Sequence, residues 1–159
     1  DPATFQSLQD IGGVEGAIRG TPEFQQGFSE LMNSNAQAAQ SQHNFIQASH
    51  YDPQVRKVYA KTGIDISTRS KTLQDVLWST SVQQNNQSAN VFARAINRTG
   101  KTAETVGDRE LIAAVYDERG AQGGRKYFTT VFNAGKAAPV LARFDRERTE
   151  ALARFDAGE

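Results

Sequence analysis

Asp108-Arg109-Glu110-Leu111-Ile112-Ala113-Ala114-Val115-Tyr116-Asp117-Glu118-Arg119-Gly120 decides how this chain is read. Leu111, Ile112, Val115 and Tyr116 recur at helical spacing and share one face. Asp108 is a candidate N-cap and Gly120 a candidate stop. The same spacing continues in both directions. Val91, Phe92, Ala95 and Ile96 predict a short helix ending near Gly100. Before it, Ser70 caps a helix carrying Leu73, Val76, Leu77 and Thr80, with Trp78 beside the stripe and the polar run Gln83 to Gln87 at its close. Asp52 as N-cap and Pro53 at the first position start another, with Val55, Val58 and Tyr59 inward and Gly63 as its end. Phe45 and Ile46 mark a Gln- and Ala-rich helix from about Asn35 to Ser49. Thr21 caps a further one bearing Phe24, Phe28 and Leu31. Toward the C-terminus, Gly123-Gly124 is a turn, and Tyr127, Phe128, Val131 and Phe132 predict a compact helix ending near Gly135. A long helix then carries Val140, Leu141, Phe144, Ala151, Leu152 and Phe155, its stripe broken by Arg148. The expected class is all-α: a compact single domain over 1–159 with about seven or eight helices.

Composition sets outer limits. The 159 residues include no cysteine, which excludes disulfides, thiolate metal sites and a cysteine nucleophile. Lys and Arg number 18, as do Asp and Glu, so the formal charge is zero, which argues against a dedicated nucleic-acid binder. No apolar run is long enough for a membrane span. The neutrality conceals an asymmetry. Residues 1–50 hold five acids and one base, whereas residues 51–99 hold three acids and seven bases. The chain begins Asp1-Pro2 without a methionine, as a piece of a longer polypeptide would.

Few residues single themselves out for chemistry. Arg148 interrupts an apolar stripe. It either snorkels at the edge of that face or turns inward to a carboxylate. Arg119 follows Val115 by four residues and suits the negative end of its helix, as a solvated terminus or as a group turned toward the core. His50-Tyr51-Asp52 joins two helices with three side chains able to hydrogen-bond a sugar, or serves as a capping turn. Arg69 and Lys71 flank a helix N-terminus, where fixed cations favour an anionic ligand. Gln83 lies on that helix with Trp78. His43 and His50, seven apart with no third ligand, make a weak metal signal, and no metal or cofactor is expected. No phosphate-binding loop, dinucleotide fingerprint, serine-hydrolase elbow or zincin motif is present. Glu15 and Glu118 are lone acids that nothing in the spacing pairs.

In order and spacing the chain resembles the chitosanase-like lysozyme domains, peptidoglycan hydrolases of type VI secretion spike and effector proteins and of phage proteins, which are related to the family 46 chitosanases. The matching stretches are Gln42 to Ile46 leading into His50-Tyr51-Asp52-Pro53, Arg69-Ser70, Leu73 to Thr80 with Val82-Gln83, Asp108 with Leu111-Ile112, Val115 to Arg119, and the closing Arg143 to Leu152. They run from Phe5 to Phe155 and cover the C-terminal part of such a domain.

The resemblance implies hydrolysis of a β-1,4 glycan by two carboxylates, a general acid and a partner that places water. It puts that pair on a segment before Asp1, so the chain is expected to lack its catalytic front piece. Arg119 and Arg148 resemble the two arginines of the network that supports the acid, with Ser79 where that network has an Asp. His50, Tyr51, Asp52, Arg69 and Gln83 are the expected substrate-binding residues, and the basic stretch 51–99 the expected cleft lining. The expected partners are a peptidoglycan glycan strand, an upstream segment or domain of the same polypeptide, an immunity protein and a secretion or phage carrier. No nucleic acid or membrane span is expected. The implied place of action is the bacterial periplasm or cell wall, reached by a secretion apparatus or virion. The alternative is a non-catalytic glycan-binding or structural module of the same fold in a secretion spike or phage tail.

Overall fold

A computed structural model describes residues 2–128, 135 and 137–159. Among them the structure is all-helical, as expected, with nine α-helices: α1 Pro2–Asp10, α2 Gly13–Arg19, α3 Pro22–Ser34, α4 Ala36–Ile46, α5 Asp52–Thr62, α6 Lys71–Gln84, α7 Ser88–Thr99, α8 Asp108–Arg119 and α9 Ala137–Asp156. The two that periodicity did not announce, α1 and α2, are short. The chain forms two compact units, 1–48 and 49–159.

The first unit contains α1 to α4. Thr21 accepts from the Phe24 amide at 3.2 Å and Pro22 follows it, so α3 starts as its sequence predicts. Phe24 and Phe28 stack at 5.7 Å between centroids. Gly27 admits Ile11, since a Cβ there would come within 2.7 Å of Ile11 Cγ2. Phe45, one of the two apolar residues that mark α4, is 66% exposed.

The second unit is built on α7 and α8, which pack on each other, with α5 against α7 and both α6 and α9 against α8. Its core joins Val58, Leu73, Leu77, Phe92, Leu111, Ile112, Val115 and Phe144, all buried. Full burial of such a side chain contributes about 1.5–3 kcal/mol. Ser70 Oγ accepts from the Leu73 amide at 3.3 Å, which caps α6 as predicted.

Three local expectations change. Asp52 is not an N-cap: Gln47–Tyr51 form a π-helical turn, so the backbone is already helical at Tyr51 when α5 begins. Tyr59 faces outward at 58% exposure, since it adjoins Val58, which takes the inner position. Asp108 does not cap α8, whose N-cap position is Gly107. Its carboxylate turns instead to α6, accepting from the Ser70 amide at 2.7 Å. Gly63, with φ at 77°, ends α5 by donating its N–H to Tyr59. The segment 121–127 is a series of turns with Tyr127 outside any helix, and the rest of the helix expected up to Gly135 lies mostly outside the described residues. No helix among the described residues is long and apolar enough to cross a membrane.

Candidate functional site

The site begins with a guanidinium in the wrong place for solvent. Arg119 ends α8 and is 0% exposed. Its Nη2 donates to Gln83 Oε1 at 2.6 Å and to Ser79 Oγ at 3.3 Å, both on α6. Its Nη1 lies 3.4 Å from Glu147 Oε2 on α9. Ser79 Oγ donates to the same Glu147 oxygen at 3.2 Å, and Arg143 Nε reaches the other at 3.1 Å. Two rings lie against the cation: Arg119 Cζ is 4.4 Å from the Phe144 centroid and 5.0 Å from that of Tyr116. Helical spacing explains the convergence. Ser79 and Gln83 are one turn apart on α6, and Phe144 and Glu147 one turn apart on α9.

Burial pushes the Arg119 guanidinium below its ordinary value, opposed by Tyr116 and Glu147. An arginine starts so high that it stays charged. Burial likewise raises the Tyr116 phenol, against the pull of Arg119. Among the described residues Arg119 Nε has no hydrogen-bond acceptor, and Nη1 is held by Glu147 as an ion pair.

Two surface grooves border this cluster, and Ser79 and Glu147 line both. One, of about 700 Å³, also has Asp75, Tyr116, Glu150 and Arg154 in its walls. The other, of about 370 Å³, has Trp78, Val82, Gln83 and Arg143. Together they make a cleft along α6 and α9. Among the described residues its lining bases, Arg143 and Arg154, come from α9 and not from the 51–99 stretch. Asp75 is itself paired with Arg154 at 2.9 Å.

The other expected residues fall as follows. Arg148 pairs with Asp117 at 3.7 Å, and its side chain is 42% exposed. Arg119 and Arg148 therefore share no carboxylate among the described residues. Gln83 joins Arg119 directly. Tyr51 stands beside Trp78, with ring centroids 5.4 Å apart, and its phenol is raised by burial first and then by Asp52, Asp75 and Asp65. Asp52 occupies the first turn of α5. His50 Nδ1 lies 2.7 Å from Ser49 Oγ. Arg69 is a brace: it donates to Asp108 at 2.9 Å, to Ala103 O at 2.9 Å and to Val106 O at 3.3 Å. Lone Glu15 pairs with Arg19 on the surface. Glu118 is 1% exposed; burial raises its carboxyl, but hydrogen bonds from Lys126, Tyr127 and Arg98 outweigh that and hold it below its ordinary value, the reverse of what a general acid needs.

Arg119 was expected as a network arginine and Gln83 as a substrate-binding residue; the structure bonds the two to each other, and Glu147, Tyr116 and Phe144 were not expected as their company. The available signal was the pair Arg143 and Glu147, one turn apart on the stripe that carries Phe144.

An all-helical domain with a charged cleft over a buried arginine defines only a class. Comparison with known families narrows it: the chain belongs to the family described as type VI secretion system spike protein VgrG3-like, C-terminal, whose model matches residues 5–148. Over 78 residues the chain is 33% identical to the type VI secretion system spike protein VgrG3 of Vibrio cholerae serotype O1 (strain ATCC 39315 / El Tor Inaba N16961). That stretch is 49% of this chain and 7% of the relative, so the match covers a small part of the relative's length. No solved structure matches the chain.

Proposed function

We propose that this C-terminal spike domain is a peptidoglycan hydrolase, carried by a type VI secretion spike and acting on the β-1,4 glycan in the periplasm or cell wall of a target cell. One observation carries the reading: a fully buried guanidinium, ringed by Ser79, Gln83 and Glu147, lies beneath a cleft between two helices. Such a group orients a carboxylate and supplies fixed positive charge without reorganising. In this reading the general acid is supplied by polypeptide outside these 159 residues, as the lysozyme-like resemblance implies. Arg119, Ser79 and Gln83 hold it. Trp78 and Tyr51 offer ring faces to the glycan.

The test is lysis of purified peptidoglycan by the full-length spike, followed by turbidity. Lysis that is lost in Arg119→Met supports the reading. Full lysis by that variant removes the cluster from the mechanism, and no lysis by the unaltered spike sinks the enzymatic reading.

The non-catalytic alternative, a glycan-binding or structural module, is favoured by a separate observation. Two cleft acids, Asp75 and Glu147, are each already paired with arginine. Sedimentation with insoluble peptidoglycan in the absence of any lysis is its expected signature.

A further inference from the structure

The turn segment 121–128 is no part of the cleft wall, yet it is tied to the cleft floor. Glu118 accepts from Arg98 Nε at 2.7 Å, from the Tyr127 hydroxyl at 2.6 Å and from Lys126 Nζ. Arg94 Nη1 donates to the Tyr127 hydroxyl at 3.1 Å and approaches Glu118 Oε1 at 4.0 Å. Lys126 and Tyr127 belong to the segment, while Arg94 and Arg98 belong to α7. One buried carboxylate thus fastens the segment to the body of the unit.

The next residue carries the connection onward. Phe128 packs on Phe144 with ring centroids 5.5 Å apart, and Phe144 is the ring that bears the Arg119 guanidinium. A second seat lies one turn earlier on α9. Gly124 is buried with φ at 82°, and a Cβ there would stand 3.5 Å from Leu141 Cδ2. Lifting the segment would strip two donors from a carboxylate that is 1% exposed, which burial penalises.

The geometry points to Glu118 as a positioning residue: its hold on Lys126 and Tyr127 seats Phe128 against Phe144 and thereby fixes Arg119 beneath Ser79 and Glu147. The mechanical coupling stands on these contacts alone. Its consequence for lysis rests on the enzymatic reading above.

The experiment compares the full-length spike with Lys126→Met, Tyr127→Phe, Glu118→Gln and Lys126→Arg, using amide hydrogen exchange and peptidoglycan lysis. Lys126 is partly exposed, so its replacement spares the core even where Glu118→Gln does not fold. In Lys126→Met and Tyr127→Phe, exchange is expected to rise about tenfold in 121–128 and together with it in 141–147. The lytic kcat is expected to fall about tenfold with KM within about twofold, and Lys126→Arg restores both. Faster exchange in 121–128 with 141–147 unchanged would overturn the coupling. Coupled exchange with kcat unchanged would overturn the positioning role. If the unaltered spike lyses nothing while the two segments still loosen together, the coupling holds and the enzymatic reading falls.

Discussion

Glu118 and Arg119 are consecutive residues, 1% and 0% exposed, and each draws its partners from a different set of elements. Glu118 is bound by α7 and the following turns, while Arg119 is bound by α6 and α9. A rotation of about 100° per residue sends neighbours on a helix to different sides. The end of α8 is therefore a charged pin set between two layers.

Replacing Arg119 separates stability from chemistry. In Arg119→Met, Glu147 keeps Arg143 and Ser79, so the cost in stability is about 1–3 kcal/mol. The lytic rate of the full-length spike is expected to fall about 100-fold, because the orienting charge is gone. Chemical denaturation and turbidity measure the two effects, and a stability loss without a rate loss would contradict the assignment.

Acid should act through Glu118. Its folded-state value lies below the ordinary 4.5, so its contribution is complete above pH 4.5 and is lost as pH falls through the folded value. Melting temperature is therefore expected to drop on acidification below about pH 4.5. Glu118→Gln should flatten that drop, and an equally steep decline in the variant would exclude Glu118 as its source.

At the alkaline end, Tyr127 is pushed up to about 12, by burial first and then by its bond to Glu118. A phenol raised in the folded state contributes stability that is present below its unfolded value near 10 and lost as pH rises through the folded one. Tyr51 and Tyr116 are raised as well, so ultraviolet titration should show a late phenolate component whose amplitude Tyr127→Phe lowers by one tyrosine.

Arg69, an expected substrate-binding residue, donates through Nη1 and Nη2 to Asp108, Ala103 and Val106. Arg69→Ala should cost about 2–3 kcal/mol through lost charge-assisted bonds. Arg69→Lys should recover little, because one ammonium cannot span three acceptors in a planar fork. Thermal melting of both variants checks this.

What could be read beforehand was what depends on neighbours in sequence. The helical class, the inward face of α8, the Thr21 and Ser70 caps and the Gly63 stop all follow from spacing within a turn or two. Arg119 and Gln83 were singled out with different roles, and their bond to each other was not foreseen. Glu147 was not, because its meaning depends on α9 lying beside α6, across 68 residues of chain between Ser79 and Glu147. The Asp108 expectation failed for the same reason: a distant amide at Ser70 competed for the carboxylate and took it. Asp52 failed locally, because a π-turn let one helix run into the next.

That diverted aspartate has a geometric consequence. Asp108 opens α8 and also grips Ser70, just ahead of α6, so both helices are measured out from one common datum. Ser79 is nine residues beyond that point and Arg119 eleven, which at 1.5 Å per residue is about 14 and 17 Å of travel. The two rulers deliver their polar tips at nearly the same depth. Inserting a single residue in either would turn its tip by about 100° and remove it from the other's reach.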